Sequence, residues 1–183
     1  MRKSVVSLVV LASLAVVLLA STATPSSPSS AVERGRYLVT IGGCNDCHTP
    51  LKMGPKGPEP DMTRMLSGHP AGAKLPPPPA LPPGPWNVVT AGLTAWSGPW
   101  GVSYAANITS DIETGVGGWT EEMFVRTMRT GKHLGMGRDL LPPMPWQGVG
   151  QLNDADLKAV FAYLKSVPAI SNSVPDPIPP AKH

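Results

Sequence analysis

Three side chains able to bond sulfur, carbon or metal partners fall within five consecutive positions, Cys44-Asn45-Asp46-Cys47-His48, and the chain has no other cysteine. Several chemistries use such a pair. A structural disulfide between residues three apart closes too small a loop to restrict the unfolded chain much. A thiol–disulfide exchanger shares the C-x-x-C spacing but starts a helix within a βαβ pattern, and no such pattern surrounds these residues. Zinc is almost always four-coordinate in structural sites, and the remaining histidines, His69, His133 and His183, stand at unsuitable spacings. C-x-x-C-H is also the pattern of covalent haem attachment. Two thiols on one helical turn can each form a thioether with one vinyl group of the same porphyrin. His48 is then carried over the ring plane, where its imidazole can bind iron. The free Nδ1–H of such a ligand is held by an outer acceptor, often a backbone carbonyl, which the Pro-rich segment downstream is placed to supply.

A second axial ligand would come from a methionine or another histidine. Met123 and Met128 fall in a helical stretch, where methionine is ordinarily core filler. Met53, Met62 and Met65 follow the motif closely, and Met136 lies between two glycines. Met144 differs, because Pro142-Pro143-Met144-Pro145 holds it on a stiff, extended backbone between the last two helices. A stiff frame would keep a weak thioether over iron at little entropic cost; the competing reading is a rigid turn and nothing more.

The elements that must position these residues are mostly helical. Ser30-Ala31-Val32-Glu33 reads as a capping box opening a helix that runs to about Ile41, where Gly42-Gly43 ends it. A second helix starts near Thr120, with Trp119 and Phe124 as a hydrophobic staple and Gly131 as its stop. A third runs from about Asp154 to Val167, capped by Asn153 and closed by Pro168, with Leu157, Val160, Phe161 and Leu164 as its apolar stripe. Between Pro50 and Pro99 lies more than half of the 23 prolines, with little helical or strand periodicity. That composition predicts a long ordered loop, with Trp86, Trp96 and Trp100 packing it down. The expected fold class is all-α, with a few short helices around one large planar cofactor that supplies the missing core.

The ends read as appendages. Arg2 and Lys3, the apolar run Val5 to Ala20 and the small residues Ser21-Thr22-Ala23 predict a cleaved export signal over residues 1–23. An uncleaved membrane anchor is the alternative, but the run is short for a span. Residues 24–30 read as a disordered linker, 31–168 as the haem domain with its Pro-rich insertion at 50–104, and 169–183 as a Pro-rich tail without an evident core. Losing Arg2 and Lys3 takes the balance from 15 basic against 12 acidic residues to 13 against 12. Neither that near-neutrality nor the scatter of Lys and Arg suits nucleic-acid binding.

Taken in order, several strings resemble class I c-type cytochromes, most closely the periplasmic monohaem cytochrome c subunits and domains of bacterial dehydrogenases. They are Gly35-Arg36-Tyr37-Leu38, Cys44 to Pro50, Asn107-Ile108-Thr109, Glu113-Thr114-Gly115, Gly118-Trp119-Thr120, Leu141 to Trp146, and the helix from Asp156-Leu157 to Tyr163-Leu164. The resemblance implies a cytochrome c-like fold around one covalent haem c, with Cys44 and Cys47 attaching it and His48 and Met144 as axial ligands. It implies crossed first and last helices, close at Gly35 with Tyr37 and Phe161 or Tyr163 nearby, and makes Asn107 and Trp119 candidates for contacts at the haem edge or propionates. It implies single-electron transfer in the periplasm, from a dehydrogenase or other redox donor to a cytochrome or oxidase acceptor, rather than catalysis; a membrane is involved only if the leader is retained. The residues alone also admit a five-coordinate haem enzyme or gas sensor, with His69 or His133 beside the iron, and a haem-free thiol oxidoreductase.

Overall fold

A computed structural model describes residues 28–79 and 86–180. The expected leader, residues 24–27 and the last three residues, His183 among them, lie outside the described part.

Helix α1 spans Pro28–Ile41. Proline's fixed φ suits a first helical turn, so the helix takes in the last three residues read as linker, and Ser30 lies inside it rather than capping it. Helix α3, Glu121–Thr130, begins at Thr120, whose hydroxyl accepts from Met123 N–H at 3.2 Å, and ends at Gly131 in the left-handed conformation. Helix α5, Asp154–Ser166, begins at Asn153, whose side-chain oxygen accepts from Asp156 N–H at 2.8 Å. Each cap satisfies backbone groups that the first turn leaves unpaired. Two shorter helices, α2 (Cys44–His48) and α4 (Trp146–Val149), complete the α-helices among the described residues, beside 3-10 turns at Met62–Arg64 and His133–Gly135.

α1 and α5 cross at Gly35. A Cβ there would stand 1.9 Å from the Ala159 carbonyl oxygen and 2.7 Å from Tyr163 Cβ, so only glycine lets the backbones come this close. The Arg34 guanidinium meets Asp156 at 2.8 Å across the same crossing. Below it lies the core, in which Val39, Leu66, Leu157 and Leu164 are buried with Val116, Phe124, Met128, Val160, Phe161 and Val167. Phe124 and Phe161 stack with their centroids 5.2 Å apart. At roughly 1.5–3 kcal/mol for each large side chain removed from water, this cluster is the main stabilising term.

The fold is not all-α. The insertion contains five short strands in two antiparallel sheets. β1 (Leu51–Gly54) pairs with β2 (Gly57–Pro60), and β3 (Val88–Val89), β4 (Ala95–Gly98) and β5 (Gly101–Tyr104) follow in that order in the second sheet. Proline lacks the N–H that a central strand needs, but a strand with one neighbour tolerates it where the missing donor would face outward. Pro58 and Pro60 stand in β2, paired with Met53 and Leu51. Strands of two to four residues are also too short to display alternation. Both two-residue hairpin turns carry the same Gly-Pro-x-Gly pattern, Gly54-Pro55-Lys56-Gly57 and Gly98-Pro99-Trp100-Gly101, with proline preset for a tight turn.

The tail is built into the domain. Val102 and Ile178 exchange backbone hydrogen bonds at 2.8 and 2.9 Å, so the tail covers the free edge of β5. Asn172 donates to the carbonyls of Ser67 and His69 at 2.7 and 2.8 Å and accepts from Ala71 N–H at 2.9 Å. Among the described residues no helix is long and apolar enough to cross a membrane.

Candidate functional site

The C-x-x-C-H residues form α2. Gly43, left-handed at φ 65°, turns the chain out of α1 and directly into it. Asn45 and Thr49 then pin the short helix, since Thr49 N–H donates to Asn45 O at 3.0 Å and its hydroxyl donates to Asn45 Oδ1 at 2.8 Å. The Thr49 hydroxyl also accepts from Leu66 N–H at 2.9 Å. Thr49 is fully buried, so these polar groups are satisfied internally, as burial requires. Leu66 itself holds a left-handed backbone at φ 62°, which costs a β-carbon-bearing residue about 1–2 kcal/mol. Its N–H bond to Thr49 and its carbonyl bond from Ile108 N–H at 2.9 Å retain it there.

His48 is held at two points, one inside the insertion and one just past its end. Its carbonyl accepts from Gly68 N–H at 2.7 Å, and its ring Nδ1 lies 2.7 Å from the Ala106 carbonyl oxygen. A carbonyl only accepts, so Nδ1 carries a proton, and in the neutral ring Nε2 keeps its lone pair. Burial lowers the His48 pKa, against the opposing pull of the Ala106 carbonyl; the shift favours the neutral imidazole, the form in which it can bind a metal. Gly68 adopts φ 76°, and a Cβ there would stand 2.4 Å from Ala105 O. The 66–69 and 105–108 segments run this close because His69 N–H donates to Ala105 O at 2.8 Å and Ile108 N–H to Leu66 O.

Cys44 and Cys47 form no disulfide with each other and are half-buried. Burial raises the pKa of each, assisted at Cys47 by Asp46 and opposed at Cys44 by a backbone hydrogen bond. A reactive exchange cysteine has a lowered pKa, so this environment does not favour the thiol-oxidoreductase reading. Among the described residues no group of three or more His, Cys, Asp or Glu side chains is arranged to hold a metal ion.

Met144 is half-buried and packs on the same core cluster as Cys44, although 100 residues separate them in sequence. It lines a cleft of about 270 Å³ with Leu140, Pro142, Pro143, Pro145, Trp146 and Gln147. Its backbone is a turn rather than an extended stretch, with Met144 N–H 3.3 Å from Leu141 O. The other candidates are placed differently. Met53, Met62, Met123 and Met136 are exposed, Met128 belongs to the core, and Met65 packs against it. His69 is buried in the segment that supports His48, its Nδ1 2.9 Å from Thr94 Oγ1 and its ring 4.9 Å from Tyr104. His133 stands edge-on to Trp119 at 5.2 Å.

Asn107, suggested as a haem-edge contact, is already committed. It donates to Thr114 Oγ1 and Ile170 O at 2.9 and 2.7 Å and accepts from Thr109 N–H and Oγ1. Its work is to join the end of the insertion to the tail. The partner of His48, Ala106, carries no side-chain signal; only its place just before Asn107-Ile108-Thr109 points to it.

No protein-family model matches the sequence. The chain is 33% identical over 144 residues, 79% of its length, to a nicotinate dehydrogenase subunit of Pseudomonas putida. It is 28% identical over 163 residues, 89% of its length, to the gluconate 2-dehydrogenase cytochrome c subunit of Pantoea cypripedii. It is 29% identical over 158 residues, 81% of its length, to the fructose dehydrogenase cytochrome subunit of Gluconobacter japonicus. These alignments cover 9%, 28% and 26% of the relatives' own lengths. At modest identity over most of its length, the chain is a homologue of the cytochrome c subunits of bacterial dehydrogenases.

Proposed function

We propose that the chain is an exported electron carrier holding one haem c. In this reading Cys44 and Cys47 attach the haem covalently, and His48 and Met144 are its axial ligands. It takes single electrons from a dehydrogenase and passes them to a downstream cytochrome or oxidase in the periplasm. The observation that carries the reading is the state of His48: Nδ1 is committed to the Ala106 carbonyl, which leaves a neutral Nε2 on the residue next to a half-buried thiol. That is what an iron-binding imidazole on a C-x-x-C-H turn requires. The relatives, named as cytochrome c subunits of dehydrogenases, support both the haem and the carrier role.

Bound haem would supply the redox couple, and the protein supplies ligand geometry, burial and an exposed edge. His/Met ligation fills both axial positions and raises the potential. α2 would fix the two attaching sulfurs relative to His48, and Cys44 and Met144 both pack against the apolar core. With near-neutral charge, partners would meet the carrier through a small interface and local patches.

A reduced-minus-oxidised visible spectrum of the protein matured with haem tests the reading. The expected result is a c-type spectrum with the weak far-red sulfur-to-iron band in the oxidised form, lost in Met144→Ala and kept in Met136→Ala. Loss in Met136→Ala instead would reassign the ligand, and a protein matured without any haem spectrum would refute the carrier role.

A further inference from the structure

The two expected ligand segments, around His48 and Met144, are far apart in sequence, yet both are tied to one short stretch of the insertion. At its exit, Ala106 O accepts from His48 Nδ1. Three residues earlier, in β5, the Ser103 hydroxyl donates to Pro142 O at 2.6 Å, two residues before Met144. The same hydroxyl accepts from the indole Nε1–H of Trp100 at 3.1 Å. Ser103 is 5% exposed, so its hydroxyl is oriented by one donor and one acceptor.

We propose that Ser103 is a positioning residue for the Met144 thioether, its hydroxyl tethering the Leu141–Met144 turn to the strand whose exit orients His48. This rests on the reading of Met144 as the sixth ligand. The tether is firm at both ends. β5 pairs with β4 on one edge and with Ile178 of the tail on the other. On the far side of the turn, α4 leads to Gly150, whose carbonyl accepts from Arg129 of α3. Three residues of extended chain span at most about 10 Å, so Ser103 and Ala106 belong to one short strut. Without the hydroxyl, Pro142 O loses its protein partner, and the turn gains freedom to carry Met144 away from iron.

The test uses the full chain matured with haem, in the ferric state, titrated with imidazole. Imidazole must displace the methionine, so its apparent affinity reports the population of the methionine-free state. Loss of one ordinary hydrogen bond predicts that Ser103→Ala raises the apparent affinity about 2- to 10-fold, lowers the reduction potential and weakens the far-red band at unchanged haem content. Ser103→Thr, which keeps the hydroxyl, restores all three. Trp100→Phe, which removes only the donor to that hydroxyl and keeps a ring, gives a smaller shift in the same direction. Wild-type imidazole affinity and potential in Ser103→Ala would overturn the proposal; if that variant does not mature, the same null result in Trp100→Phe overturns it. Met144→Ala separates the two levels. If it keeps the far-red band, the ligand reading itself falls; if it loses the band while Ser103→Ala matches wild type, only the positioning role falls.

Discussion

The helical frame of α1, α3 and α5 and the insertion between residues 50 and 104 reach order by opposite means. The frame buries apolar side chains in one cluster and makes its closest contact where Gly35 has no side chain. The insertion adds few residues to that cluster. It is held by hydrogen bonds at single points: Gly68 to His48, Ala106 to His48, Ser103 to Pro142, and Asn172 to its first segment. Frames of the first kind set stability. Those of the second kind set orientation, and here they contact both segments expected to bind iron.

The largest effect should follow from breaking the frame at its tightest point. Gly35→Val places atoms where the Ala159 carbonyl already stands, and overpacking against backbone cannot relax by a rotamer change. A loss of about 3 kcal/mol or more is expected, read as a lowered midpoint in thermal or denaturant unfolding. Leu157→Ala deletes a fully buried side chain from the same cluster and should cost about 2–5 kcal/mol, measured by the same curves.

The insertion should answer differently. Asn172→Ala leaves the Ser67 and His69 carbonyls without their donor and should cost about 2 kcal/mol. The accompanying sign is local: limited proteolysis should cut first around residues 67–71 or in the tail while α1 and α5 stay intact. If α5 is cut as early, the two regions do not come apart as the comparison requires.

The smallest effect concerns pH. Hydrogen bonding and charge from Arg34 hold Asp156 below the usual carboxylate range, while burial opposes them. A depressed carboxylate adds stability above its unfolded pKa, and this is lost as pH falls through the folded value. Unfolding midpoints of wild type should therefore drop more on acidification than those of Asp156→Asn, by a margin limited by the exposure of Arg34. Equal acid slopes would show that the pair contributes nothing at the crossing.

What could be read in the sequence divides along the same line. Thr120, Asn153 and Gly131 announce α3 and α5 because capping is local chemistry, and the stripe Leu157, Val160, Phe161 and Leu164 announces the buried face. The C-x-x-C-H string is legible for the same reason, since its five residues are contiguous and form α2. The strands were missed because two to four residues carry no period and because Pro58 and Pro60 argue against strands in general, though not at a two-stranded edge. The repeated Gly-Pro-x-Gly turns were the available signal. The tail looked coreless because Asn172 and Ile178 dock it through hydrogen bonds rather than an apolar stripe. Ala106 was invisible in principle, since its role belongs to a backbone carbonyl that any residue would provide.

In the proposed function, Cys44 and Cys47 hold one haem covalently beside His48. The most direct test is the intact mass of the full chain, expressed with a cytochrome c maturation system and measured under denaturing conditions. The wild-type chain should carry the added mass of one haem through denaturation, and the double variant Cys44→Ala, Cys47→Ala should not. A wild-type chain at its bare polypeptide mass after maturation would contradict it.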